Sequence, residues 1–379
     1  EHEKICQLFA DPLMGMSRQE LGDFLERWPL GGIPFRAALF GNEEAQEILT
    51  ELQEKARIPY LVAGNCESGP NGALPGGTLV ASGAQVRASR DVRFAYEVGR
   101  ITGAETSAVG YNWSFGPVGD ILMNWRNSLI NTRAYGNDAD FVSECVENYN
   151  KGCMEYGVVP CLKHFPGDGW EERDQHLTIS NNGLSCEEWD ETFGRIYRKS
   201  IENGVLSIMA AHFTLPAYQR RLNPQLEEKD MQPACLSPEL IEGLLRKQLG
   251  FNGLVVTDQT KMMGYYGMSR LKAVPRSIAC GCDMVLGVND MEEDYEAMKA
   301  GIRYGVITRE RLQDALYRIL GCKAAVGLHR KKAEGGFARK KEELGVIGCK
   351  EHQAIAREAA KKAITLVKNT RSQIPLSPQ

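Results

Sequence analysis

Basic charge is not in excess in this 379-residue chain: 45 Lys and Arg stand against 49 Asp and Glu, a net charge of −4. That excludes a broad positive field for a phosphate backbone, so no nucleic-acid partner is expected. No apolar run approaches the ~20 residues that cross a bilayer, so no membrane span is expected either. The segment Glu1–Leu8 lacks the apolar core of a signal peptide. Eleven cysteines have no repeated spacing, and Cys145, Cys161 and Cys280 lie inside apolar runs. The expectation is a reducing, cytoplasmic setting, with a secreted form left open because the chain begins at Glu1 without Met. Cys280-Gly-Cys282 is the one close pair, and two thiols without a second cluster make no zinc site. Internal repeats and low-complexity tracts are also missing. With 43% hydrophobic and 25% charged residues the composition is globular, which excludes global disorder.

Short β-branched runs recur with helical segments between them. Strands are expected near Tyr60–Asn65, Tyr111–Val118, Gly157–His164, Leu206–His212, Leu254–Asp258 and Met284–Gly287. Amphipathic helices are expected at Asp140–Tyr156, Ser185–Asn203 and Ser237–Leu249, the last two opening with a Ser cap and acidic residues in the first turn. Alternation of this kind, without a central reversal, predicts a parallel (β/α)₈ barrel of the TIM type over residues 1–328. Residues 329–350, rich in Lys, Glu and Gly, read as a linker. Residues 351–379 read as a helix followed by the start of a possible second α/β sandwich domain.

In such a barrel the downstream ends of the strands carry the chemistry. Asn65, Asp120, Lys163, His164, His212 and Asp258 all fall there. The segment after Lys163-His164 runs through Pro166, Gly167 and Gly169 and so forms a turned loop, in which Asp174 and His176 are one residue apart. A carboxylate at that spacing orients an imidazole and raises its basicity, which suits acid/base work near neutral pH. A metal held by His164, Asp168, Asp174 and His176 is the rival, ranked lower because paired-His spacing is missing. Asp258, ending an apolar strand, either caps the next helix or serves as a nucleophile, and spacing alone does not choose.

The segments Ile58-Pro-Tyr-Leu-Val-Ala-Gly-Asn-Cys-Glu-Ser-Gly69, Gly110–Asp120, Thr132-Arg-Ala-Tyr-Gly136, Lys163-His-Phe-Pro-Gly167 with its downstream Asp-x-His, Leu249-Gly-Phe-Asn-Gly253 through Asp258, and Ala279–Leu286 stand in this order along the chain. Together they resemble glycoside hydrolase family 3, in particular its β-N-acetylglucosaminidase branch. The resemblance implies a retaining exo-β-glycosidase in which Asp258 is the nucleophile that forms a covalent glycosyl-enzyme. It also implies His176 as acid/base oriented by Asp174, and Asn65, Arg133, Lys163 and His164 as sugar-binding residues. Terminal β-N-acetylglucosamine is the expected substrate, and neither metal nor organic cofactor is implied.

The chain also departs from the family pattern. Asn65 replaces a common Asp, the stretch Glu67–Ala73 lacks arginines frequent there, Asp168 replaces a His, and Gln259 replaces an Asp. A β-glucosidase-like preference is the nearest alternative. A glycoside phosphorylase is another, because a His base, neutral when it accepts the proton, does not repel phosphate as a carboxylate would. A non-catalytic sugar-binding barrel is the alternative from another class, opposed by the presence of Asp258, His176 and Asp174. Trp113, Trp125 and Trp170 are candidate sugar platforms, with core packing the reading for Trp113 and a loop anchor the rival for Trp170.

Overall fold

The computed structural model describes residues 1–372, 374 and 375. Ten strands occur in the order β1 (Phe9–Ala10), β2 (Gly32–Pro34), β3 (Leu61–Gly64), β4 (Trp113–Ser114), β5 (Val159–Phe165), β6 (Ser180–Asn181), β7 (Ser207–Ala210), β8 (Phe213–Thr214), β9 (Leu254–Thr257) and β10 (Val285–Leu286). Eight of them form one sheet in the order β10-β1-β2-β3-β4-β5-β7-β9. Every pairing in it is parallel, and a further parallel bridge from Val256 to Met284 joins its two ends. The expected (β/α)₈ barrel is therefore the fold.

In β7 and β9 the residues alternate between two apolar clusters because successive side chains point to opposite faces. Met209, Leu254 and Val256 join the cluster that holds Trp113 and Met284, whereas Ile208, Ala210 and Val255 join the one that holds Val146, Ile196 and Leu244 of the neighbouring helices. Both faces are dry, so the strands must read as apolar runs; each fully buried Val or Leu contributes about 1.5–3 kcal/mol. This is why β5, β7 and β9 stand out in the sequence. Strands β1 and β2, two and three residues long, carry no such run and were not anticipated.

The helix expected at Ser185–Asn203 is two helices, Cys186–Glu191 and Phe193–Glu202. They part at Thr192, whose backbone leaves the helical region while its hydroxyl donates to the Glu188 carbonyl at 2.6 Å. The segment Glu239–Gln248 is wound as a π-helix rather than an α-helix. Among the described residues no helix is long and apolar enough to cross a membrane. The eleven cysteines are free thiols, ten of them buried.

Residues 329–350 are more closely packed than a solvated linker would be. They hold a helix at Leu328–Glu334 and a 3₁₀ segment at Lys341–Val346, with Phe337 buried between them. Gln46 donates to the Lys340 carbonyl at 3.3 Å and Thr50 to that of Phe337 at 3.4 Å, which fastens the segment to the helix Asn42–Lys55. The following helix, Lys350–Ala363, is tied down by one buried carboxylate. Glu105 accepts from the Thr78 and Gly348 backbones and the Thr78 hydroxyl, and pairs with His352 Nδ1 at 2.7 Å. The expected opening of a second domain around Ile374–Leu376 runs past the described residues at Leu376.

Candidate active site

The downstream ends of β3, β5, β7 and β9 bring the anticipated polar residues to one mouth of the barrel. From β3, Asn65 is exposed, and its Oδ1 accepts from Lys163 Nζ at 2.8 Å. Since an ammonium only donates, this orients the amide and leaves the Asn65 Nδ2–H groups as donors for another partner. Lys163 also meets Glu67 Oε1 at 2.7 Å. Arg133 holds the same carboxylate with two parallel bonds of 2.7 Å, Nε to Oε2 and Nη2 to Oε1.

Glu67 is thus the organiser of the cationic side of the site, a part not assigned to it from the sequence, although it lies two residues beyond Asn65 in the quoted segment. Burial works against its charge, but Lys163 and Arg133 overcome that and hold the carboxyl well below its ordinary value of 4.5. A folded-state value below the unfolded one means stability that is fully present above the ordinary carboxylate range and is lost as pH falls through it. The urea midpoint of wild type should therefore decline on acidification below about pH 4.5 more steeply than that of Glu67→Gln. At neutral pH the same variant should be less stable by on the order of 3 kcal/mol, because two poorly solvated cations lose their anion. Equal pH dependence of the two proteins contradicts this assignment.

At the end of β5, His164 Nδ1 meets Asp120 Oδ2 at 2.6 Å and its Nε2 lies 3.3 Å from Arg133 Nη2. Arginine only donates, so Nε2 accepts and the Nδ1–H donates to Asp120. Asp120 is fully buried and its Oδ1 also accepts the backbone N–H of Asp168. Asp168 is buried too, with Asn127 Nδ2 and the Gly169 N–H on Oδ1 and, among the described residues, no partner on Oδ2. Burial, and then the Asp120 charge, push the Asp168 carboxyl far above the usual range. It belongs to the buried support beneath His164 and does not join Asp174 and His176. Among the described residues no group of three or more His, Cys, Asp or Glu side chains is arranged to hold a metal ion.

The loop after β5 turns where its glycines demand it. Gly167 and Gly169 have φ of +123° and +111°, and a Cβ on either would lie 2.2 Å from the Phe193 ring or 2.0 Å from the Ile121 carbonyl oxygen. Its return leg is sewn to the chain after β7 by the β6–β8 pairing of Ser180 with Phe213 and Asn181 with Thr214. Within the loop His176 Nδ1 and the His176 N–H both reach Asp174 Oδ1, at 2.7 and 2.8 Å, and the imidazole is half exposed. Nδ1 is thereby occupied and Nε2 is free to exchange a proton.

Asp258 closes β9 with its carboxylate nearly buried. Oδ1 accepts from the Gln259 N–H at 2.7 Å and Oδ2 from Gln175 Nε2 at 3.1 Å. Burial opposes its charge, but its polar surroundings, among them the Gln259 N–H and the Lys163 ammonium, outweigh it and keep the carboxyl below the usual range. An ionised, weakly solvated carboxylate of this kind is a competent nucleophile. His212, buried beside it, donates from Nε2 to the Gln259 carbonyl at 3.1 Å and has Nδ1 3.2 Å from Cys235 Sγ, and burial lowers its pKa. It therefore serves as neutral scaffolding.

The tryptophans separate. Trp113 is in the core with its N–H on Ser207 Oγ at 2.9 Å. Trp170 packs on the return leg of its own loop, where a Cβ on Gly183 would come within 2.5 Å of the ring, which favours the loop-anchor reading. Trp125 is 75% exposed with the Arg126 guanidinium over its ring.

Residues 2–322 match the family described as Glycosyl hydrolase family 3 N terminal domain. The whole chain is 41% identical over 378 residues to a beta-N-acetylglucosaminidase/beta-glucosidase of Cellulomonas fimi, of which it spans 66%. Among solved structures it superposes on the beta-glucoside phosphorylase BglX bound to 2FGlc with a TM-score of 0.94 at 38% identity, covering 100% of this chain and 68% of that one. A glycoside hydrolase family 3 beta-N-acetylglucosaminidase from Paenibacillus sp. str. FPU-7 gives 0.87 at 28% identity, covering 97% of this chain and 69% of that one.

Proposed function

The chain belongs to glycosyl hydrolase family 3, and from that premise we propose that it is a retaining exo-β-glycosidase that releases terminal β-N-acetylglucosamine. The observation that carries this reading is the pairing of two groups at one mouth: the ionised, fixed carboxylate of Asp258 and the Asp174-oriented imidazole of His176. In the first step an Asp258 oxygen attacks the anomeric carbon as the bond to the leaving oxygen breaks and His176 Nε2–H gives that oxygen its proton. The neutral imidazole then takes a proton from water, whose oxygen displaces Asp258 and restores the original configuration. Asp174 holds the tautomer and steadies the imidazolium. Asn65, Lys163, His164 and Arg133 bind the sugar hydroxyls, with Asn65 supplying donors where an Asp would accept.

Two further specificities have specific support. The dual name of the Cellulomonas relative favours β-glucosides as a second substrate class. The likeness to a β-glucoside phosphorylase, together with an acid/base that is neutral after the first step, favours phosphate as an alternative to water.

Release of nitrophenol from β-linked nitrophenyl N-acetylglucosaminide, glucoside, xyloside and N-acetylgalactosaminide, with and without phosphate, tests these together. The expected result is turnover of the N-acetylglucosaminide with net retention. Phosphate acceleration with a sugar 1-phosphate product assigns phosphorolysis, and a folded protein that binds these sugars without cleaving any of them overturns the enzymatic reading.

A further inference from the structure

Gln175 lies between the two residues of the acid/base pair, yet it is fully buried while the imidazole of His176 is half exposed. Its Oε1 accepts the His212 backbone N–H at 2.9 Å and its Nε2 donates to Asp258 Oδ2 at 3.1 Å. The amide can be oriented only this way, since a backbone N–H requires an acceptor and a carboxylate requires a donor. Its backbone is engaged as well: the Gly264 N–H donates to the Gln175 carbonyl at 3.1 Å and the Met263 N–H to that of His176 at 2.9 Å. The approach is close enough that a Cβ on Gly264 would lie 2.6 Å from the Gln175 oxygen and 2.8 Å from His212 Cβ. Three segments, the loop after β5, the turn after β7 and the loop after β9, therefore meet at this one residue.

We propose that Gln175 is the positioning residue that fixes the Asp258 carboxylate and sets the acid/base loop in register with it. The inference rests on the reading of Asp258 as nucleophile. With the Gln259 N–H on Oδ1 and Gln175 on Oδ2, both carboxylate oxygens are held, so the carboxylate plane is set before substrate arrives. Because His176 is the next residue, any shift of Gln175 moves the acid/base relative to the nucleophile. A misplacement of about 1 Å between reacting groups costs on the order of 10²-fold in rate.

Two variants test it. Gln175→Glu keeps the length and the acceptor for His212 but replaces the donor by a second carboxylate, and Gln175→Met keeps the length without donor or acceptor. For both, kcat/KM on dinitrophenyl β-glycosides at neutral pH should fall about 100-fold, although such leaving groups need no protonation. For Gln175→Glu the acidic limb of the kcat/KM profile should also move up by about one pH unit, since like charge disfavours ionisation of Asp258. The other groups facing Asp258 are Lys163 and His164 from β5, His212 after β7, Arg133 after β4, and the thiols of Cys161 and Cys235. None is altered, so the displaced limb reports the new carboxylate, which a merely structural role would not produce. Wild-type kcat/KM and an unmoved limb in folded Gln175→Glu, with Asp258→Asn inactive, overturn the positioning role alone. Full activity of Asp258→Asn overturns the nucleophile reading and this proposal with it.

Discussion

Asp258→Asn should lower turnover of every accepted β-glycoside by about 10⁴-fold or more, the scale on which loss of a nucleophile is felt. The amide is nearly the same size and can still accept the Gln259 N–H, and the cost is one hydrogen bond, because its Nδ2 then faces the Gln175 Nε2 donor. Lys163 and Arg133 retain Glu67 as their anion, and no buried cation is orphaned by the change. The melting temperature should therefore move by no more than a few degrees, and sugar binding measured by calorimetry should persist. What is lost, on the proposed mechanism, is the oxygen that would bond to the anomeric carbon. Residual activity within tenfold of wild type would move the nucleophile elsewhere and leave Asp258 as a buried structural acid.

His176→Ala should separate substrates by leaving group. For alkyl or sugar aglycones kcat/KM should fall by about 10³-fold, within the usual range for a general acid. For dinitrophenyl aglycones, whose oxygen departs as a stable anion, the fall should be under about tenfold, since no proton is required. Among the described residues His176 has Asp174 and a main-chain contact to Met263 as hydrogen-bond partners and is half exposed, so its removal should change stability by about 0.5 kcal/mol or less. Leaving-group kinetics over a series of aryl glycosides measures the difference. Equal losses across the series would place His176 in binding or structure rather than proton transfer.

The residues differ in how plainly the sequence announces them, and the reason is the distance over which their partners act. β5, β7 and β9 are dry on both faces, so their apolar runs end visibly, and Lys163, His164, His212 and Asp258 could be placed at the barrel mouth from those ends. The Asp174–His176 contact is local, one residue apart, and is likewise legible. Gln175 is not: its partner Asp258 lies 83 residues away and its role comes from loop geometry that no local pattern encodes. Glu67 gains its part only once Arg133 and Lys163, 66 and 96 residues further along the chain, converge on it. β1 and β2 are too short to show a period, and the segment 329–350 carries so much charge that its packing around Phe337 and against Gln46 is hidden.

The proposed covalent step on Asp258 is tested most directly by trapping it. Incubation with a fluorinated glycosyl donor that carries an activated leaving group, the fluorine slowing both steps and the leaving group restoring the first, should raise the intact mass by one fluorosugar. Peptide mapping should then place that mass on the fragment carrying Asp258, and Asp258→Asn should acquire none. A fluorosugar attached to any other residue, or continued turnover by an enzyme that no such donor labels or slows, contradicts the account.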